Sequence, residues 1–101
     1  MADRLDLQTT FENILGSREV YFQPPASVRM SYPAIVYSRM DFNILRANNA
    51  VYKLNDVYEV TVIYRDPDSD LPRTIAQLPM CRPDRHYVAD NLYHDTFTLY
   101  V

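Results

Sequence analysis

One glycine, Gly16, serves a chain of 101 residues. A phosphate-cradling loop needs several glycines so that backbone N–H groups can approach the ligand, and that class of site is excluded. Turns that require a positive φ must fall to Asn or Asp, which tolerate it better than other residues. Asn48-Asn49, Asn55-Asp56 and Asp90-Asn91 are the expected places. A single cysteine, Cys81, excludes an internal disulfide and suits a reducing compartment. Positive charge is not in surplus either. A formal charge of −3 and a pI near 5.1 argue against a nucleic-acid grip, which shows as a basic face. No apolar run reaches membrane-spanning length, and the opening Met1-Ala2-Asp3-Arg4-Leu5-Asp6 is unlike a signal peptide. A soluble, cytoplasmic protein is expected.

Tryptophan is missing as well, whereas tyrosine is abundant. Nine Tyr against four Phe imply rings set half in and half out, each hydroxyl needing water or a partner. The length fits one domain, 1–101, with a radius of gyration of about 13 Å if compact. The strongest local signal is Val57-Tyr58-Glu59-Val60-Thr61-Val62-Ile63-Tyr64-Arg65, rich in β-branched and aromatic residues. Alternation puts Tyr58, Val60, Val62 and Tyr64 on one face, which reads as core. Val57, Glu59, Thr61, Ile63 and Arg65 share the other, which suits solvent or a partner. This is the central strand.

Ahead of it, Leu7, Phe11, Ile14 and Leu15 fall at helical spacing within Arg4–Leu15. Asp3 serves as N-cap, Asp6 meets the helix dipole, and Gly16 is placed as the C′ residue. Residues 17–32 read as a long connection in which Val20-Tyr21-Phe22 pairs briefly, before Pro24 and Pro25 stop any ladder. Pro33 opens a buried strand, Ala34-Ile35-Val36-Tyr37-Ser38-Arg39. Asp41 to Leu54 alternates poorly; Asn48-Asn49 with Val51 and Tyr52 reads as the far end of a long hairpin into the central strand. Asp66-Pro67-Asp68-Ser69-Asp70 is a turn and a cap. A second helix then carries Leu71, Ile75 and Leu78, with Pro72 tolerated in its first turn and Pro79 at its end. Arg85–Ala89 and Tyr93–Val101 close the chain as a hairpin around Asp90-Asn91. Tyr93, Phe97, Leu99 and Val101 share one face of its second strand; His94, Thr96 and Thr98 share the other. The expected class is α+β, an antiparallel sheet with two helices packed on it.

Three constellations invite chemistry. Asp66-x-Asp68-x-Asp70 copies the opening of a calcium loop, but the glycine and the bidentate glutamate of that loop are replaced by Leu71 and Gln77. Helix capping is the better reading. Cys81, Asp84, His86 and His94 match no zinc spacing, although His86 and His94 could approach each other across the hairpin. A Cys–His–Asp nucleophilic set lacks a glycine elbow or helix N-terminus near Cys81. No catalytic, metal or cofactor site is therefore assigned. Tyr21-Phe22-Gln23-Pro24-Pro25 has two readings. Its rings either plug the domain's own core or dock on a neighbouring subunit, since a rigid aromatic–proline segment presents area at low entropic cost.

Five phrases occur in order. They are Tyr21-Phe22-Gln23-Pro24-Pro25, Tyr32-Pro33-Ala34-Ile35-Val36-Tyr37, Tyr58-Glu59-Val60-Thr61-Val62-Ile63, Asp66-Pro67-Asp68-Ser69 and Ala89-Asp90-Asn91-Leu92-Tyr93-His94-Asp95. Together they resemble the small neck proteins of long-tailed bacteriophages, the tail terminator, tail completion or head–tail joining proteins. The resemblance spans about Tyr21 to Tyr100. It implies a virion protein, assembled in the host cytoplasm, that forms a ring of six subunits. Its partners would be the tail-tube protein and a head-completion protein, with DNA passing through the lumen unbound and no membrane involved. Among neck proteins the helix–hairpin–helix–hairpin order is similar to tail terminators, whereas head-closure proteins are more often small β-barrels and adaptors mostly helical. The alternatives are another neck component or, more remotely, a small binding module or a Cys/His enzyme. Candidate interface residues are Tyr21, Phe22, Pro24 and Pro25 in the connection, with Asn48, Asn49 and Tyr52 at the hairpin end.

Overall fold

Helix α1 occupies Arg4–Leu15, the span its periodicity predicts, and ends on Gly16 at φ 76° with the Gly16 N–H bonded to the Glu12 carbonyl. The structure, a computed structural model, describes residues 4–24, 29–47 and 50–100, with the side chains of these except at 41–47 and 50–55. Asp3, the expected N-cap, and Val101 lie outside the described residues. After α1 come β1 (Val20–Phe22), β2 (Ala34–Ala47), β3 (Ala50–Tyr64), α2 (Leu71–Ala76), β4 (Cys81–Ala89) and β5 (Leu92–Tyr100). The five strands form one sheet in the order β1-β2-β3-β5-β4, so β3 is central. This is an α+β domain.

The sheet is mixed where an antiparallel one is expected. β1 runs parallel to β2, pairing Val20 with Ile35 and Phe22 with Tyr37. A parallel pair needs a crossover too long for a hairpin, and residues 23–33 supply it. The other pairings are antiparallel.

The core face of β3 is buried as its alternation requires, but on the other face Val57 and Ile63 are buried as well, flanked there by neighbouring strands. Val60 and Val62 are fully buried, Tyr58 and Tyr64 nearly so, while Glu59 and Arg65 are exposed. Around them gather Leu7 and Phe11 of α1, Ile75 of α2, Ile35, Tyr37, Phe97 and Leu99. Both helices thus lie on the same face of the sheet. Tyr37 has no exposed surface, so its hydroxyl must find a partner inside. It donates to Gln8 Oε1 at 2.6 Å, and the Gln8 amide donates in turn to the Val20 carbonyl at 3.1 Å and to Glu12 at 3.0 Å. One glutamine of α1 therefore ties the helix to β1 and β2. Every buried side-chain polar atom among the described residues has a partner.

Positive φ falls on Gln23, Met80, Asp90 and Asn91 besides Gly16. Asp90-Asn91 is the expected two-residue hairpin turn, with both central residues left-handed. Asn55-Asp56 is not a turn; the two lie within β3, opposite Asn43 and Phe42. Asn48-Asn49 lies outside the described residues, although Ala47 and Ala50 on either side are paired. α2 is short, and its capping differs in detail from expectation. Asp70 holds the N-cap position without a side-chain bond, while the Ser69 hydroxyl accepts from the Leu71 N–H at 3.3 Å. β4 begins four residues earlier than predicted. It is an edge strand, where Pro83 costs no ladder bond and Arg82, Asp84 and Arg85 stay in water.

The hairpin β2–β3 outruns the rest of the sheet. β5 accompanies β3 only from Val57 to Tyr64, and β1 accompanies β2 only from Ile35 to Tyr37. Beyond the bulge at Met40 and the Asp41–Val57 pair, residues 42–47 and 50–56 pair only with each other among the described residues. The radius of gyration is accordingly 14.6 Å, above the compact expectation, and the extents are 50 × 24 × 23 Å.

Core assignment is tested by charge. Val62→Asp places an unpaired carboxylate where no water reaches and should cost about 3 kcal/mol or more, enough to unfold much of a marginally stable domain. Glu59→Gln should stay within about 0.5 kcal/mol. Urea melts followed by circular dichroism decide it; a Val62→Asp variant as stable as the parent would mean the faces are reversed.

Candidate functional site

The aromatic–proline segment divides between its two readings. Phe22 lies on the helix-covered face, its ring centroid 5.0 Å from Tyr37 and 6.5 Å from Tyr58, with the Arg4 guanidinium 4.7 Å above it. It is half-buried and packs against the core, as the plug reading expects. Tyr21 pairs with Val36 on the opposite face and donates its hydroxyl to Glu19. That carboxylate, together with burial, holds the phenol above its ordinary range. Gln23, at φ 44°, donates its N–H to the Tyr37 carbonyl and accepts the Arg39 N–H on its side chain, so the segment is fastened to β2. Pro24 is half-buried, and Pro25 lies outside the described residues. Tyr21 and Pro24 thus remain at the surface, while Phe22 belongs largely to the fold.

The second group of candidate interface residues sits at the hairpin end. Asn48 and Asn49 lie outside the described residues, and Tyr52 is placed by its backbone in β3, between Lys53, which faces Leu45, and Val51, which faces Arg46. The register shift there makes Tyr52 the extra residue of a bulge.

The histidines do not converge. A two-residue turn fixes the register of β4 on β5, putting His86 opposite Asp95 and His94 opposite Tyr87. Successive pairs face opposite sides, so His86 and His94 point away from each other. His94 stacks on Tyr87 at 4.7 Å, with Arg85 over the same ring at 4.8 Å. Cys81 pairs with Leu99 at the far end of the strand, and burial with the nearby Asp84 carboxylate pushes its thiol up, away from the reactive thiolate. Asp84 is engaged by the Thr98 hydroxyl at 2.6 Å. Asp66 accepts the Asp68 N–H at 3.0 Å, an Asx turn rather than an open ligand set. Among the described residues no group of three His, Cys, Asp or Glu is placed to hold a metal.

What the register does assemble is a cluster that residue types alone did not reveal. Asp95 accepts the Tyr64 hydroxyl on one oxygen and meets His86 Nδ1 on the other at 2.7 Å. Tyr93 stacks on Tyr64 at 5.5 Å and on His86 at 5.9 Å. Three strands, β3, β5 and β4, are thereby cross-linked at one end of the sheet. Counting outward from Asp90-Asn91 finds the His86–Asp95 pair; the Tyr64 contact also needs the β3–β5 register, which no local pattern gives. Burial, and then the bond to Asp95, hold the Tyr64 phenol well above its ordinary value.

Two further surfaces stand out. The sheet face away from the helices bears Tyr21, Val36, Thr61, Ile63 and His94, and no described helix covers it. On the helix side a hollow of about 250 Å³ opens between α1, the turn after α2 and the end of β5, lined by Leu7, Thr10, Leu78, Met80, Leu99 and Tyr100.

Two outcomes follow from these contacts. Tyr64→Phe deletes a hydrogen bond to a carboxylate and should cost about 1–3 kcal/mol near neutral pH. Because the folded-state pKa of Tyr64 is raised above 10.0, its contribution is present below pH 10.0 and fades as the pH climbs beyond it. Tyr37 and Tyr58, raised by burial, add to the same alkaline loss. Urea midpoints should therefore fall above pH 10.0 in the parent and less steeply in Tyr64→Phe. At the other turn, calcium should give no binding heat and no shift in melting temperature against chelator; a clear shift would make Asp66, Asp68 and Asp70 ligands.

Comparison of the chain with protein-family models, curated proteins and solved structures finds no match.

Proposed function

We propose that the chain is a structural protein of a bacteriophage neck, a tail terminator that closes the tail tube as a ring, ends its polymerisation and offers the surface to which the head joins. The observation that carries this reading is the ordered set of phrases from Tyr21 to Asp95, joined to an α+β chain in helix–hairpin–helix–hairpin order. The role asks for two different surfaces on one stiff subunit and for a repeated contact that closes on itself. Two faces of unlike character are available: one covered by α1 and α2, the other bare sheet. The net negative charge also fits a lumen through which DNA passes, since a basic ring would hold the duplex by its phosphates. Among the described residues no helix is long and apolar enough to cross a membrane. The protein would act in the virion.

The test has two arms. The purified protein, sized by light scattering, should form a closed ring, of six subunits as the resemblance implies, and should bind the end of tubes built from its cognate tail-tube protein. Particles lacking it should show tails unjoined to heads and irregular or overlong. A monomer that ignores tubes, or null particles with joined tails of normal length, would remove the assignment.

A further inference from the structure

We draw no further inference here: the strongest candidate, the apolar hollow between α1, the turn after α2 and the end of β5, with Met80 exposed at its rim, carries nothing, because nothing in the structure shows what covers it.

Discussion

β3 is fifteen residues long, and it has two flanking strands for only half of that length. The rest of the structure depends on this mismatch. From Val57 to Tyr64 the strand lies between β2 and β5 and buries one whole face, so it can be apolar there without exposure. Toward Ala50 only β2 pairs with it among the described residues. The same continuous strand is therefore core at one end and projection at the other, and the ladder between them transmits rigidity from the body outward. The bulge at Met40 marks the changeover, where the chain leaves the strand pair under α1 and the ribbon begins.

The body is stiffened by polar contacts that join one element to another. Gln8 holds α1 to β1 and β2 through the Tyr37 hydroxyl, and Asp95 holds β3, β4 and β5 together through Tyr64 and His86. Both are cases of a tyrosine whose ring fills the interior while its hydroxyl is claimed by a side chain from another element. Two of the nine tyrosines are explained by that use. A phenylalanine at either position would fill the same volume and leave the strands untied.

Much of this was legible in the residues, and the reasons for success and failure are physical. The faces of β3, the bounds of α1 and the Asp90-Asn91 turn rest on local rules: alternation, helical spacing, and the tolerance of Asp and Asn for positive φ. The parallel pairing of β1 was hidden because three residues carry no sign of direction, and only the length of the crossover hinted at it. β4 was shortened because Pro83 and its charged neighbours read against a strand, which holds for a central strand but not for an edge. The scarcity of glycine drew Asn55-Asp56 into a turn, whereas Gln23 and Met80, with no local preference for it, took the left-handed backbone. His86 and His94 were brought together on paper by distance along the chain; the register set them on opposite faces. The candidate interface residues are divided for a like reason. Tyr21 and Phe22 are adjacent in sequence, so a strand must send them to opposite sides, and no single reading could hold for both.

Exposed features that the isolated fold does not need are the ones that bear on assembly. Phe22, for which core plug and docking ring were both open, packs on Tyr37 and Tyr58 as the plug reading expects. Met80 is not explained in that way. Its side chain is mostly in water, its backbone is in a region that disfavours side chains, and the hollow beside it is apolar. The body is tied together through Gln8 and Asp95, and the β2–β3 ribbon extends from it. The ring proposed above would ask each such subunit to meet its neighbour in the same way every time.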